Sequence, residues 1–172
     1  RLVTSGFVVP AGMKNPTSGG LSVMLNSVDP AQAAHNFIYR GWDVNTEGNP
    51  YAHTILRGSV NKYSRSRPNY HYEDLMKLYN MYGERNLKFP ATIVDANHSN
   101  SDKHFKEQIR IVQEVLHSRS LSSEIHNLVK GVMIESYLVE GAQKIGCQPH
   151  VYGQSITDPC LGWEDSERLL YE

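Results

Sequence analysis

The sequence is poor in cysteine, in net charge and in long apolar runs, and each shortage excludes a class of protein. Its 172 residues contain two cysteines, Cys147 and Cys160, which are too few for the disulfide scaffold of a small secreted domain. The formal net charge is -1 at pH 7, so no overall field attracts nucleic acid or an anionic membrane. Nothing resembles a membrane-spanning segment or a signal peptide. We therefore predict a cytoplasmic protein that binds neither nucleic acid nor membrane.

The composition is otherwise that of a globular domain. Hydrophobic residues make up 40% of the chain and charged residues 20%, which is enough to form a core. We expect residues 1–172 to form a single domain. The chain starts at Arg1 without Met and soon runs into the apolar triplet Phe7-Val8-Val9. Because this is an unusual natural start, we interpret the chain as a fragment.

Short apolar segments that end on a polar residue recur along the chain. They are predicted to be buried strands, with helical patterns between them and after the last. The predicted strands are 7–13, 54–56, 92–94 and 132–134, and the predicted helices are 20–34, 72–82, 105–116 and 163–171. A loop rich in Asn and Gly, 44–50, is predicted to join a hairpin between 36–39 and 52–56.

The polar strand tips have the spacing of βα units. Lys14, Arg57, His98 and Glu135 are 43, 41 and 37 residues apart. This predicts an α/β fold with a parallel sheet, whose chemistry lies at the carboxyl ends of the strands as in a (β/α)8 TIM barrel. A doubly wound sheet fits the same alternation, although no G-x-G-x-x-G turn supports it. A closed barrel needs eight strands in about 250 residues, so four βα units amount to half a barrel.

A half barrel is incomplete. Its first and last strands would be open edges, and its inner face would be exposed. We therefore expect the isolated chain to associate, to misfold or to need a complementing half.

Lys14 and Arg57 are the candidate anion-binding residues. They end neighbouring predicted strands, so both cations would point into one barrel mouth, where a phosphate or carboxylate can bridge them. From spacing alone, two ordinary solvated cations are an equally good interpretation.

His98, Glu135 and Asp158 are the candidate metal ligands. One imidazole and two carboxylates suit Mn, Fe, Co or Zn. As isolated residues they are more often structural: a loop histidine, a surface acid and a turn or capping aspartate. Asp95 would orient His98 or a substrate hydroxyl, or would simply form a turn. Cys160 is interpreted as a buried free thiol and not as a further ligand.

At these tips the sequence resembles the microbial (type I) 3-deoxy-D-arabino-heptulosonate-7-phosphate (DAHP) synthase family. The segments that carry the resemblance are Gly12-Met13-Lys14-Asn15, Ile55-Leu56-Arg57-Gly58, Asp95-Ala96-Asn97-His98-Ser99-Asn100-Ser101, Met133-Ile134-Glu135-Ser136 and Ser155-Ile156-Thr157-Asp158-Pro159-Cys160-Leu161-Gly162-Trp163-Glu164-Asp165. The last segment is the most specific, and the resemblance covers the whole chain.

The resemblance implies a TIM barrel of which the chain covers roughly the last four βα units. It also implies condensation of phosphoenolpyruvate with erythrose 4-phosphate, the first step of the shikimate pathway to aromatic amino acids. Lys14, Arg57 and His98 would be catalytic and bind phosphoenolpyruvate. His98, Glu135 and Asp158 would ligate a divalent metal, with Asp158 also near erythrose 4-phosphate. The implied partners are the two substrates and either further copies of the chain or a complementing N-terminal half.

The chain also departs from the family. The family's metal-binding cysteine, its Lys-Pro-Arg-Thr motif for erythrose 4-phosphate and a further phosphoenolpyruvate arginine would all precede Arg1. We therefore expect the isolated chain to be inactive. The alternatives are a noncatalytic half barrel that binds phosphoenolpyruvate or a partner subunit, and a related synthase of an eight-carbon sugar phosphate, against which the run from Ser155 to Asp165 argues.

Overall fold

The computed structural model describes residues 1–146 and 149–172, so Cys147 lies outside the described residues. The elements are, in chain order, a 3-10 turn (Thr4–Gly6), β1 (Ala11–Lys14), α1 (Leu21–Gln32), β2 (His35–Tyr39), β3 (Trp42–Thr46), β4 (Ala52–Leu56), β5 (Ser59–Val60), β6 (Ser66–Arg67), α2 (Tyr72–Glu84), β7 (Thr92–Asp95), α3 (Glu107–Leu121), α4 (Ser123–Leu128), β8 (Val129–Met133), β9 (Val139–Ala142), β10 (Gln154–Ser155) and α5 (Trp163–Tyr171). Over the described part of the chain, every helix is too short or too polar to cross a bilayer.

A four-stranded parallel sheet organises the chain. Its strand order is β1-β4-β7-β8, and all three neighbouring pairs are parallel. Helices connect each strand to the next, as parallel pairing requires. The predicted α/β alternation is therefore confirmed. The first strand is shorter than predicted, because Val8 is 93% exposed and Pro10 has no N–H for a sheet hydrogen bond.

One face of the sheet carries the core. Leu56, Val94 and Val129 are fully buried in one cluster with side chains from the helices, which include Leu75 and Ile111. Leu75 belongs to α2, whose buried positions Leu75, Leu78 and Tyr82 recur at helical spacing.

The opposite face of the sheet has a different character. Lys14, Ile55, Ile93 and Gly131 lie side by side in register across the four strands. Side chains alternate between faces along a strand, so these positions point away from the helix-covered core. Lys14 therefore projects from the uncovered face at the carboxyl end of β1.

The predicted hairpin exists, but its loop was placed wrongly. β2 pairs with β3 in antiparallel register, with Tyr39 opposite Trp42. Arg40 and Gly41 connect the strands, with φ of 51° and 84°, which is the backbone of a tight two-residue hairpin turn. Residues 52–56, predicted as the second hairpin strand, instead form β4 of the parallel sheet.

The sequence patterns also missed a helix. The predicted helix over 105–116 is observed as α3, which runs to Leu121, and α4 starts directly after Ser122. The Ser122 hydroxyl accepts a hydrogen bond from the Ile125 N–H at 3.2 Å and so caps α4. The short α4 ends at Leu128, and β8 begins at the next residue, Val129.

Candidate metal and substrate site

The predicted tip residues gather at the carboxyl edge of the parallel sheet. Lys14 is the last residue of β1, Arg57 directly follows β4, and Glu135 lies two residues after β8. His98 follows the end of β7, and Asp158 lies in the loop before α5. Asp95 joins Lys14 to His98, and His98, Glu135 and Asp158 lie close to one another. Within residues 1–146 and 149–172, the guanidinium of Arg57 makes no hydrogen bond or ion pair.

Asp95 is the centre of this cluster. Its carboxylate is fully buried, and Oδ2 accepts a hydrogen bond from Lys14 Nζ at 2.9 Å. The same oxygen lies 2.9 Å from His98 Nδ1, while Oδ1 accepts from the Asn97 N–H at 3.1 Å. One carboxylate therefore holds the Lys14 ammonium, approaches the imidazole and closes the turn, so both sequence interpretations of Asp95 describe contacts that are present.

His98, Glu135 and Asp158 converge with a metal-binding geometry. One ligand atom from each residue lies within 4.8 Å of the other two. His98 Nδ1 is buried and makes no well-aligned hydrogen bond, although it lies 2.9 Å from Asp95 Oδ2 and 3.4 Å from Glu135 Oε1. A buried imidazole nitrogen surrounded by carboxylate oxygens fits a divalent cation, which one imidazole and two carboxylates can hold.

The backbone at His98 is in an uncommon conformation. Its φ is +49°, in the left-handed region that non-glycine residues rarely adopt, although Asn, Asp and His are enriched there. Such strain concentrates at functional sites, where surrounding contacts maintain it. Here the Lys103 N–H donates to the His98 carbonyl at 2.9 Å, which closes the turn behind the imidazole.

Two buried amides hold Glu135. The Glu135 N–H donates to Gln108 Oε1 at 2.8 Å, and Gln108 Nε2 donates back to the Glu135 carbonyl at 3.1 Å. Asn97 Nδ2 donates to Glu135 Oε2 at 2.6 Å and to the Pro159 carbonyl at 3.3 Å. Both amides are almost fully buried. Asn97 therefore ties the Glu135 carboxylate to the loop that carries Asp158.

Sequence reasoning did not assign either amide to the site. Asn97 was part of an apparent turn, and Gln108 stood at a core position of a helix, where a polar residue is unusual. The one signal in the sequence was its helical spacing from the apolar Ile111, Val112 and Val115, which places Gln108 on the same face but does not identify its partner.

Backbone pairing fixes the loop of Asp158. The Leu161 N–H donates to the Glu135 carbonyl at 2.9 Å, and the Tyr137 N–H donates to the Leu161 carbonyl at 2.9 Å. Gly141 and Cys160 exchange a further pair of hydrogen bonds. Asp158 itself is 45% exposed and lies 3.9 Å from Lys103 Nζ, so it is the most open of the three candidate ligands.

Cys160 is a free thiol, but it is only partly buried. Its Sγ donates to the Asp158 carbonyl at 3.4 Å. Burial raises the pKa of the thiol, and the charges of Glu135 and Asp158 raise it further. Among the described residues, the side chains that could share one metal ion are His98, Glu135 and Asp158, and Cys160 does not belong to this set.

The turn after β4 requires glycine at position 58. Gly58 has φ of +71°, and a Cβ there would lie 2.6 Å from the backbone nitrogen of Asn100. The two strand-end loops thus approach at a distance that only glycine permits. This close packing fixes the backbone next to Arg57.

We expect Gly58→Ala to lower the melting temperature of the chain by about 5–10 °C, because left-handed strain and the clash together cost roughly 2–4 kcal/mol. Gly83→Ala is the matched control. A Cβ at Gly83, in α2, meets nothing within 4 Å, so this change should stabilise the chain by about 0.5–1 kcal/mol. Thermal unfolding followed by circular dichroism measures both, and equal shifts for the two variants would contradict the close approach at Gly58.

Comparison with known proteins gives a consistent family assignment. Residues 1–171 match the DAHP synthetase I family. The chain is 39% identical to the phospho-2-dehydro-3-deoxyheptonate aldolase of Haemophilus influenzae, a match that covers 100% of this chain and 47% of that protein. It is 38% identical to the Trp-sensitive phospho-2-dehydro-3-deoxyheptonate aldolase of Shigella flexneri, over 99% of this chain and 48% of that protein.

A solved structure agrees in fold. The chain superposes on the phospho-2-dehydro-3-deoxyheptonate aldolase of Francisella tularensis with a TM-score of 0.84 and 31% sequence identity, over 99% of this chain and 48% of that one. The four-stranded parallel sheet is thus part of a TIM barrel, as predicted. The chain spans about half the length of the curated relatives it matches.

Proposed function

The chain belongs to the DAHP synthetase I family, and from this premise we propose that it supplies half of the active site of a 3-deoxy-7-phosphoheptulonate synthase. The reaction would condense phosphoenolpyruvate with D-erythrose 4-phosphate to give DAHP and phosphate. One observation carries the proposal: the two cations and three candidate metal ligands named from the motifs all belong to one edge of the parallel sheet. That edge is where barrels of this type hold their chemistry.

Lys14 and Arg57 would bind phosphoenolpyruvate. The guanidinium of Arg57 lacks a protein partner among the described residues, so its fork of N–H donors is free to hold a phosphate or carboxylate in two places. The Lys14 side chain is 34% exposed, and its ammonium pairs with Asp95. Lys14 and Arg57 together would neutralise the negative charge of phosphoenolpyruvate and keep the substrate oriented during condensation.

His98, Glu135 and Asp158 would hold a divalent ion such as Mn, Fe, Co or Zn. The bound ion would act as a Lewis acid toward the aldehyde of erythrose 4-phosphate. Asp95 would keep the imidazole of His98 turned toward phosphoenolpyruvate, and Asn97 would keep Glu135 and Asp158 close to each other. Asp158, the most exposed of the three, would meet the hydroxyls of erythrose 4-phosphate.

A second candidate function is a noncatalytic half barrel that binds phosphoenolpyruvate or a partner subunit. The three candidate ligands favour it, because His98, Glu135 and Asp158 lie close enough together to bind an ion by themselves. The chain spans about half the length of the curated relatives it matches. Micromolar binding of Mn²⁺ and phosphoenolpyruvate by the isolated chain, without turnover, would support this second function.

A chimera tests the proposed synthase. The N-terminal half of the Haemophilus influenzae relative is joined to this chain, and phosphate release is measured with phosphoenolpyruvate, Mn²⁺ and erythrose 4-phosphate. We expect turnover with erythrose 4-phosphate and at least about tenfold less with arabinose 5-phosphate, because a site shaped for one sugar loses transition-state contacts with another. A folded, metal-loaded chimera that releases no phosphate would contradict the proposal. Preference for arabinose 5-phosphate would instead indicate the eight-carbon sugar phosphate synthase.

A further inference from the structure

A network of three buried asparagines lies beside the two candidate cations. Asn15, Asn69 and Asn100 are 2%, 9% and 5% exposed. They come from the loops that follow β1, β6 and β7. Buried amides are costly unless they are hydrogen-bonded, so their partners indicate what they do.

The amide of Asn15 is completely hydrogen-bonded to protein groups. Nδ2 donates to the carbonyls of Pro16 at 2.9 Å and Gly58 at 2.8 Å. Oδ1 accepts from the Arg57 N–H at 2.9 Å and from Asn69 Nδ2 at 3.2 Å. Two donors and two acceptor sites are all that a carboxamide offers, so the amide has no capacity left for substrate.

The Asn15 side chain continues the hydrogen bonding between β1 and β4 past the last backbone hydrogen bond. The Asn15 N–H donates to the Ile55 carbonyl at 3.1 Å, which is the last regular rung between β1 and β4. The next residue, Pro16, has no N–H. The Asn15 amide supplies a donor and an acceptor in its place, and these meet the Gly58 carbonyl and the Arg57 N–H.

The other two asparagines, Asn69 and Asn100, also hydrogen-bond to the backbone around Arg57. Asn69 Oδ1 accepts from the Gly58 N–H at 2.8 Å, and the Asn69 N–H donates to Asn100 Oδ1 at 2.9 Å. Asn100 Nδ2 donates to the carbonyls of Leu56 at 3.2 Å and Asp95 at 2.8 Å. Side-chain amides therefore hold the backbone of residues 56–58 and join it to β7.

We propose that Asn15 is a positioning residue for the phosphoenolpyruvate site. Its amide holds the backbone of Arg57 and Gly58, and we call these contacts the clamp. Because Asn15 also follows Lys14 directly in sequence, the clamp fixes Arg57 relative to Lys14 without touching substrate. The inference rests on the proposed function, because it assigns those cations to phosphoenolpyruvate. The clamp would reduce the entropy cost of binding phosphoenolpyruvate. The Arg57 guanidinium has no protein partner among the described residues to order it, so a rigid backbone limits the freedom that it loses on binding.

A double-mutant cycle in the chimera tests this role. Dissociation constants for phosphoenolpyruvate are measured for the wild type, Asn15→Ala, Arg57→Ala and the double variant. We expect Asn15→Ala to weaken binding about 10–100-fold, the range seen when a residue that orients a ligand group is lost. In the Arg57→Ala background the same change should have less than about a twofold effect, because Asn15 acts through Arg57.

Asn49→Ala separates positioning from general destabilisation. Asn49 is also a fully buried amide, but it lies at the opposite end of β4, where it bonds the Val9 carbonyl at 2.9 Å and the Tyr51 N–H at 3.0 Å. Its loss should lower the melting temperature and change phosphoenolpyruvate affinity less than about threefold, since it lies away from the cations. Equal weakening by Asn15→Ala and Asn49→Ala, or additive effects of Asn15→Ala and Arg57→Ala, would overturn the proposal.

Amide hydrogen exchange distinguishes a failure of the clamp from a failure of the proposed function. Asn15→Ala should accelerate exchange at the Arg57 and Gly58 amides at least about tenfold, because the Arg57 N–H loses its acceptor and the turn loosens. Unchanged exchange at both amides would overturn the clamp. A wild-type chimera that protects both amides but binds no phosphoenolpyruvate would contradict the assigned substrate and leave the clamp standing.

Discussion

Replacing Glu135 by alanine is expected to weaken Mn²⁺ binding by the chain by more than about 100-fold and to lower kcat/KM of the chimera by about a thousandfold. Loss of a residue that only orients a ligand typically costs about 10–100-fold in metal affinity, and Glu135 would be a ligand itself. Its removal also leaves Asn97 Nδ2 without its 2.6 Å acceptor, so the connection to the Asp158 loop is weakened too. Isothermal titration with Mn²⁺ measures the affinity, and phosphate release measures kcat/KM.

The control for this prediction is Glu84→Ala. Glu84 is an exposed carboxylate at the end of α2, and its loss removes the same charge away from the candidate site. We expect its effect on Mn²⁺ affinity and on kcat/KM to be less than about twofold, because exposed charges at a distance are screened. The assignment of Glu135 fails if its alanine variant keeps wild-type Mn²⁺ affinity, or if Glu84→Ala weakens binding equally.

The order of strands and helices could be predicted from the sequence because hydrophobic burial dictates it. The pair Ile93-Val94, for example, places β-branched apolar residues at consecutive positions, which favours a strand of a parallel sheet. Helix α5 begins at Trp163 and ends at Tyr171 as predicted. The hairpin loop was misplaced because Arg40 adopts φ of 51°. A run of Asn and Gly at 44–50 was a stronger turn signal than one Arg followed by Gly.

The candidate cations and metal ligands could also be predicted, since residues at the ends of parallel strands share an edge. The amides that hold them in position could not be predicted. Asn15, Asn97 and Gln108 act through hydrogen bonds to groups 27 to 43 residues away in sequence, and a local pattern contains no information about such partners. Burial of a polar side chain reveals them only once the fold is known.

Arg57 is the second residue whose loss should have a large effect. We expect Arg57→Ala in the chimera to raise KM for phosphoenolpyruvate by about 100–1000-fold, because a bidentate, charge-assisted contact in a partly buried site would be lost. The guanidinium makes no hydrogen bond or ion pair elsewhere in residues 1–146 and 149–172, so its removal breaks no polar contact among them. The melting temperature should therefore change by less than about 2 °C, and the KM for erythrose 4-phosphate should change much less than that for phosphoenolpyruvate.

Two further variants separate geometry from charge at this position. Arg57→Lys keeps the positive charge but loses the planar fork, so we expect it to recover part of the lost affinity and to remain about tenfold weaker than the wild type. Arg65→Ala removes an exposed arginine from the loop that follows β5 and should leave KM unchanged within about twofold. If Arg57→Lys binds phosphoenolpyruvate as tightly as the wild type, the site requires only a positive charge. The rigid backbone that Asn15 imposes on Arg57 would then be unnecessary for substrate binding.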